Sequence, residues 1–242
     1  MNIQATLSLR ATAKFLAVAI FLLLALAAAT ALLNRTVWLS SLPSEVKSIT
    51  NDIYREFSVD EEQNIPTWYS SNTLLVCAIL LGLIATHKSQ TQDRYRWYWA
   101  ALAVIFGLLA LDEFVSFHEE MNKILNLFIS FQGLFYFGWV ILALPAVSVL
   151  AIVYLKWWRN LPKRSRLLMM VAAFLYLGGA VGMEMLGGYA IDRYGPANRL
   201  YALFTYFEEL GEMSGVATFI YALLDYIYHN LPPITISVTV RD

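Results

Sequence analysis

The chain has 242 residues, of which 59% are hydrophobic and only 14% charged, with a net charge of −1. Soluble domains lie nearer half apolar and a quarter charged, so an ordinary soluble globule is excluded, and the bunching of apolar residues into long runs points to an integral membrane protein. The balanced charge and the absence of a basic patch interleaved with aromatics exclude a nucleic-acid surface. The lone Cys77 excludes a disulfide framework or a cysteine-based metal motif.

About 20 helical residues cross a bilayer core, and six stretches qualify: 14–33, 70–87, 97–117, 133–156, 167–191 and 201–228. The expected fold is an all-α integral membrane bundle of about six spans forming one domain over 1–242, with no internal repeat. The first stretch, "FLAVAIFLLLALAAATALL", follows Arg10 and Lys14 and is longer than a signal-peptide core, which predicts a retained helix.

The outer segment 34–69 follows, longer than an ordinary connection. Its "LPSEVKSITNDIYREF" places Val46, Ile49, Ile53 and Phe57 at helical spacing, which predicts a short amphipathic helix on the outer membrane surface. Its six acids read as solvated loop residues.

Lys88, Arg94 and Arg96 follow the second stretch, and Lys156, Arg159, Lys163, Arg164 and Arg166 follow the fourth. Together with Arg10 and Lys14 they define one basic, cytoplasmic side, with both termini inside, as in a multi-pass protein of a bacterial plasma (inner) membrane. Trp38, Trp68, Trp97, Trp99, Trp157 and Trp158 flank the spans, and Trp139 lies near the start of the fourth, as an interfacial aromatic belt does. Pro145 is placed to bend the fourth span, while Gly178 and Gly182 are spaced for close helix approach in the fifth.

Of the eighteen acids, all but Asp93, Asp225 and Asp242 fall on the outer side. The third span ends in "LALDEFVSFHEEMNK", with Asp112 and Glu113 about 10 Å below the outer surface and Glu119 and Glu120 at it. On the fifth span Glu184 lies about 12 Å deep. On the sixth, Glu208 and Glu209 lie about 10–12 Å deep and Glu212 about 16 Å. Three helices thus carry acids at one level. On a continuous helix His118 points away from Asp112, so the two meet only if the helix unwinds near its end.

Acids at such depth face a bundle interior and need a partner. Lys123, Arg193 and Arg199 are too few and too near the surface to neutralise them. Either the acids stay protonated or they hold a cation. The candidate metal ligands are Asp112, Glu113, His118, Glu184, Glu208, Glu209 and Glu212, a set suited to iron, zinc or manganese. An all-oxygen subset suits magnesium or calcium. Met121, Met183, Met185 and Met213 leave copper open, although methionines at helical spacing usually pack.

The function these residues point to is that of a membrane metalloenzyme. It would be an oxidoreductase or hydrolase acting on a membrane lipid, a quinone or another lipophilic small molecule, with Glu113 or Glu209 as the spare carboxylate acting as general base. Glu209 and Glu212 share the chemistry of carboxylate-bridged di-iron bundles, but the Glu-x-x-His of that family is missing, because residue 115 is valine. A cation or proton transporter using the same acids is the alternative, although its path would cross the apolar "VATFIYALL". A third reading is an assembly subunit that forms homo- or hetero-oligomers through its helices.

Overall fold

Helices occupy most of each of the six predicted apolar stretches in the structure, a computed structural model that describes residues 8–233. Asp242 and both chain termini, assigned above to the basic side, lie outside the described residues. In chain order the helices are α1 (Leu9–Trp38), α2 (Ser44–Phe57), α3 (Ile65–Gln90), α4 (Arg96–Val115) and α5 (Phe117–Asn126). A 3-10 turn at Gly133–Phe135 leads to α6 (Val140–Asn160) and α7 (Lys163–Leu177). A π segment, Gly178–Met183, joins α7 to α8 (Glu184–Tyr194), and α9 (Arg199–Asn230) completes the bundle. Among the described residues there is no strand.

Among the described residues, five helical units are long and apolar enough to cross a membrane: α1, α3, α4, α6 and the continuous α7–π–α8 rod. The 32-residue α9 is not among them, since Glu208, Glu209 and Glu212 interrupt its apolar character. The fourth predicted stretch starts late. Gly133 takes φ of +62°, and a regular helix is established only at Val140. Pro145 sits inside α6.

Asn64 caps α3 by accepting from the Thr67 amide, and Asn198 caps α9 by accepting from the Tyr201 amide, each satisfying an otherwise orphaned donor. Along the spans, large apolar residues such as Phe15, Phe21, Val104, Ile152 and Phe174 are exposed, as expected of surfaces solvated by lipid tails. The core is a layer in which Leu74, Cys77, Leu81 and Ile84 of α3 meet Val216, Phe219, Ile220 and Leu223 of α9. α9 is the hub, packing on α1, α3, α7, the π segment and α8.

Two sequence expectations change. The expected aromatic belt divides: Trp38, Trp68 and Trp97 are exposed, but Trp99 is 1% exposed and stacks with Trp157 and Tyr226 at centroid distances of 4.9 and 4.8 Å. Trp99 and Trp157 are therefore packing residues. Nor do Gly178 and Gly182 make the close approach. A Cβ on Gly178 would meet nothing, whereas one on Gly179 would lie 2.6 Å from the Glu208 carbonyl oxygen and one on Gly215 2.5 Å from the Tyr176 amide nitrogen. Gly179 continues the face on which Leu175 and Tyr176 of α7 meet Gly211 and Gly215 of α9, one face at α-helical spacing.

The helix α2 forms where expected. Val46, Ile49 and Ile53 are exposed, while Asn51, on another side, accepts a hydrogen bond from Asn34 of α1.

Candidate functional site

The outer end of the bundle is shaped by a break between α4 and α5. Ser116 adopts a left-handed conformation, φ 60° and ψ 43°, unusual for a residue with a side chain. The chain turns there, and His118 comes back onto Asp112. Its backbone amide donates to Asp112 Oδ1 at 3.1 Å, and its ring Nδ1 lies 3.1 Å from Oδ2. The residue that a continuous helix would aim elsewhere is thereby fixed by the carboxylate two turns back.

A second correction concerns the first outer loop, whose acids are not all solvated. Asn64 organises residues 58–64. While its oxygen caps α3, its Nδ2 donates to the carbonyls of Arg55, Ser58 and Glu61 at 3.0, 2.6 and 2.8 Å. This folds the loop over the bundle mouth. Glu62 Oε1 then lies 3.9 Å from His118 Nε2, and its Oε2 accepts from Thr67 Oγ1 at 3.2 Å. Asp60 accepts a hydrogen bond from the Tyr201 hydroxyl at the start of α9.

The π segment delivers Glu184. Its Oε1 accepts from the Trp139 indole N–H at 2.8 Å, and the Trp139 ring lies 5.6 Å from the His118 ring. Trp139 is thus a partner of the site as well as an interfacial aromatic. From α9, Glu208 and Glu212 approach through the close contact at Gly179, and Gly211 faces Gly179 from the other side. Glu113, Glu208, Glu209 and Glu212 are half-buried.

These acids share one electrostatic neighbourhood. Glu113 is close enough to be acted on by the charges of Glu62, His118 and Asp112. Glu212 is acted on by Glu113, Glu209, Glu208 and Glu184, and Glu209 by Glu113 and Glu62. Among the described residues no lysine or arginine forms an ion pair with any of them; His118 pairs with Asp112 and, at 3.9 Å, with Glu62. Burial works against a charged His118 ring, but the hydrogen bond and charge of Asp112 outweigh it and raise the ring's pKa to about 9. Burial also raises the pKa of Glu62 and of Asp60.

The arrangement is a neighbourhood rather than a closed coordination shell. Among the described residues no three His, Cys, Asp or Glu side chains are placed to hold one metal ion. Glu119 and Glu120 are exposed, as expected at the surface, and Glu120 pairs with Lys123. Asp192 does not pair with Arg193; it accepts from the Gly133 amide at 3.0 Å, tying α8 to the 3-10 turn. Met213 is buried as a packing residue. The residues that sequence reasoning missed are Glu62, Asp60, Asn64 and Trp139. Only Asn64, an Asn just before Ile-Pro-Thr at a helix start, carried a local signal.

The model of a family described as Domain of unknown function (DUF8692) matches residues 15–226, so the chain belongs to that family. No curated protein and no solved structure matches it.

Proposed function

We propose that this family member is a six-span membrane protein, N-in and C-in, that binds a metal ion in the outer half of the bilayer and uses it as a membrane metalloenzyme. The observation that carries the reading is His118. Asp112 holds one ring nitrogen, and the other is turned toward Glu62 and a set of carboxylates with no lysine or arginine partner. Metal-ligating histidines commonly donate their second N–H to a carboxylate in this way. The 3.9 Å between His118 Nε2 and Glu62 Oε1 also suits two donors on one ion, since ligands about 2.1 Å from a metal lie about 3.0–4.2 Å apart.

Further ligands come from Glu113, Glu184, Glu208, Glu209 or Glu212 by rotamer change, a small reorganisation for side chains of this length. An imidazole among carboxylates favours iron, manganese or zinc. A redox ion makes the protein an oxidoreductase and a Lewis-acidic one a hydrolase, with a membrane lipid, a quinone or another membrane-soluble molecule as substrate. Glu113 or Glu209, if left off the metal, serves as general base. The apolar layer of Leu74, Cys77, Leu81, Phe219 and Ile220 beneath the acids supports a site open on one side over a transport path.

Elemental analysis of the purified protein tests the reading, with His118→Ala, Glu184→Gln and Glu212→Gln alongside. Stoichiometric metal in the wild type that falls at least tenfold in His118→Ala supports it. Metal-free protein that carries protons or cations into liposomes in a Glu212-dependent way sinks it in favour of transport.

A further inference from the structure

Beyond the acid site, α1 and α9 enclose an open apolar groove of about 830 Å3, within the size range of ligand pockets. Ala13 and Ala17 of α1 and Ala217 of α9 leave the space, and Phe21 and Leu210 wall it. Thr218 does not make it polar, because its hydroxyl donates to the Ser214 carbonyl within the helix. The groove runs along α9 from Leu210 to Tyr221, about 16 Å of helix, which is about half of a bilayer's hydrocarbon core. At 100° per residue, Glu208, Glu209 and Glu212 project from the other side of α9, so the groove is separate from the acids.

Its two ends differ. The outer end is apolar, whereas the end at Ala13 and Tyr221 is rimmed by cations. Arg10 lies one turn before Ala13 on the groove-facing side of α1, Lys14 follows Ala13, and both are exposed. Among the described residues neither forms an ion pair. Arg164 adds a third cation. Its Nη2 lies 3.4 Å from the Tyr221 hydroxyl, and its guanidinium is largely exposed although it also binds Asp225. A one-leaflet apolar channel ending in a cluster of cations matches an amphiphile with a hydrocarbon chain and an anionic head.

We infer that the groove seats an acyl chain of an anionic phospholipid from the leaflet on the basic side, with the phosphate held by Arg10, Lys14 and Arg164. The inference rests on the membrane-spanning part of the reading above and is independent of the metal.

The experiment is native mass spectrometry of the full chain in detergent, titrated with dioleoyl phosphatidylglycerol or dioleoyl phosphatidylcholine. Phosphatidylglycerol should bind more tightly. The exposed double variant Arg10→Gln/Lys14→Gln should weaken it about thirtyfold, at about fivefold per cation, and leave phosphatidylcholine unchanged. Ala17→Phe, which fills the groove from an exposed position, should weaken both lipids. Equal binding of the two lipids, or phosphatidylglycerol binding unchanged in the double variant, overturns the inference. Glu212→Gln should leave lipid binding intact. A wild type that stays in solution without detergent would instead bring down the membrane reading itself.

Discussion

The molecule handles buried acids in two opposite ways at its two ends. At the basic end Asp225 is 1% exposed, and it is matched on the spot: Arg164 Nε donates to Oδ2 at 3.0 Å, and Nη2 lies 2.9 Å from Oδ1. His229 Nδ1 lies 3.5 Å from the same Oδ1 and 3.0 Å from the main-chain carbonyl oxygen of Asp225. At the outer end seven acids, Glu62, Asp112, Glu113, Glu184, Glu208, Glu209 and Glu212, gather with no lysine or arginine partner among the described residues, and His118 pairs with Asp112 and Glu62 alone. A chain that supplies an arginine for one structural carboxylate has the means to neutralise others. That the outer acids lack such partners among the described residues is the premise of the cation proposed above.

The largest expected effect comes from breaking the matched end. Arg164→Ala strands a buried carboxylate and should lower stability by about 3 kcal/mol, read as thermal unfolding in detergent, with Asp225→Asn restoring most of the loss. In metal-free protein, Glu212→Gln should instead leave the melting temperature close to unchanged, because an amide of the same shape replaces a carboxyl that has no lysine or arginine partner to strand. An equal loss in Glu212→Gln would erase the contrast between the two ends.

A middle-sized effect is expected at the contact that brings the acids together. Gly179→Ala drives a methyl group into the Glu208 carbonyl and the Glu212 amide, and should cost about 1–3 kcal/mol by separating α9 from the π segment. Its neighbour Gly178→Ala meets nothing and should be close to neutral. Matched losses in the two variants would mean that the approach is made elsewhere.

The smallest effect is a pH dependence of the metal-free protein, on the order of 1 kcal/mol at a site partly open to water. The pKa of His118 is raised above its ordinary 6.5, so its stabilising contribution is complete below about 6.5 and is lost as pH rises through about 9. Asp112→Asn should flatten the melting temperature across that interval, and an unchanged profile would show that Asp112 is not the partner.

The positions of the apolar helices, the amphipathic α2 and the gathering of acids from three helices were legible because each depends on local periodicity and on a rise of 1.5 Å per residue. Three features were not. The meeting of His118 with Asp112 depends on one left-handed serine, and Ser116 carries none of the glycine or asparagine that usually mark such a conformation. Glu62 reaches His118 because of four local hydrogen bonds gathered on Asn64, to Arg55, Ser58, Glu61 and Thr67, whose convergence helical periodicity does not encode. The choice of Gly179 over Gly178 and Gly182 depends on which face of α7 meets α9, and the π turn that begins at Gly178 breaks the 3.6-residue period for the residues beyond it.

The same π turn sets a rotational phase for everything downstream of it. If the wide turn in the "GGAVG" stretch closed to a plain α-helix with no residue removed, its extra residue would pass into the helix beyond it, a change with little penalty in backbone hydrogen bonds. Each residue is worth about 100° of rotation, so Glu184 would swing away from the Trp139 indole and out of the company of Glu212, while Asp192 would leave the Gly133 amide. A rewinding of this kind would leave every acid in the chain and still dissolve their meeting place.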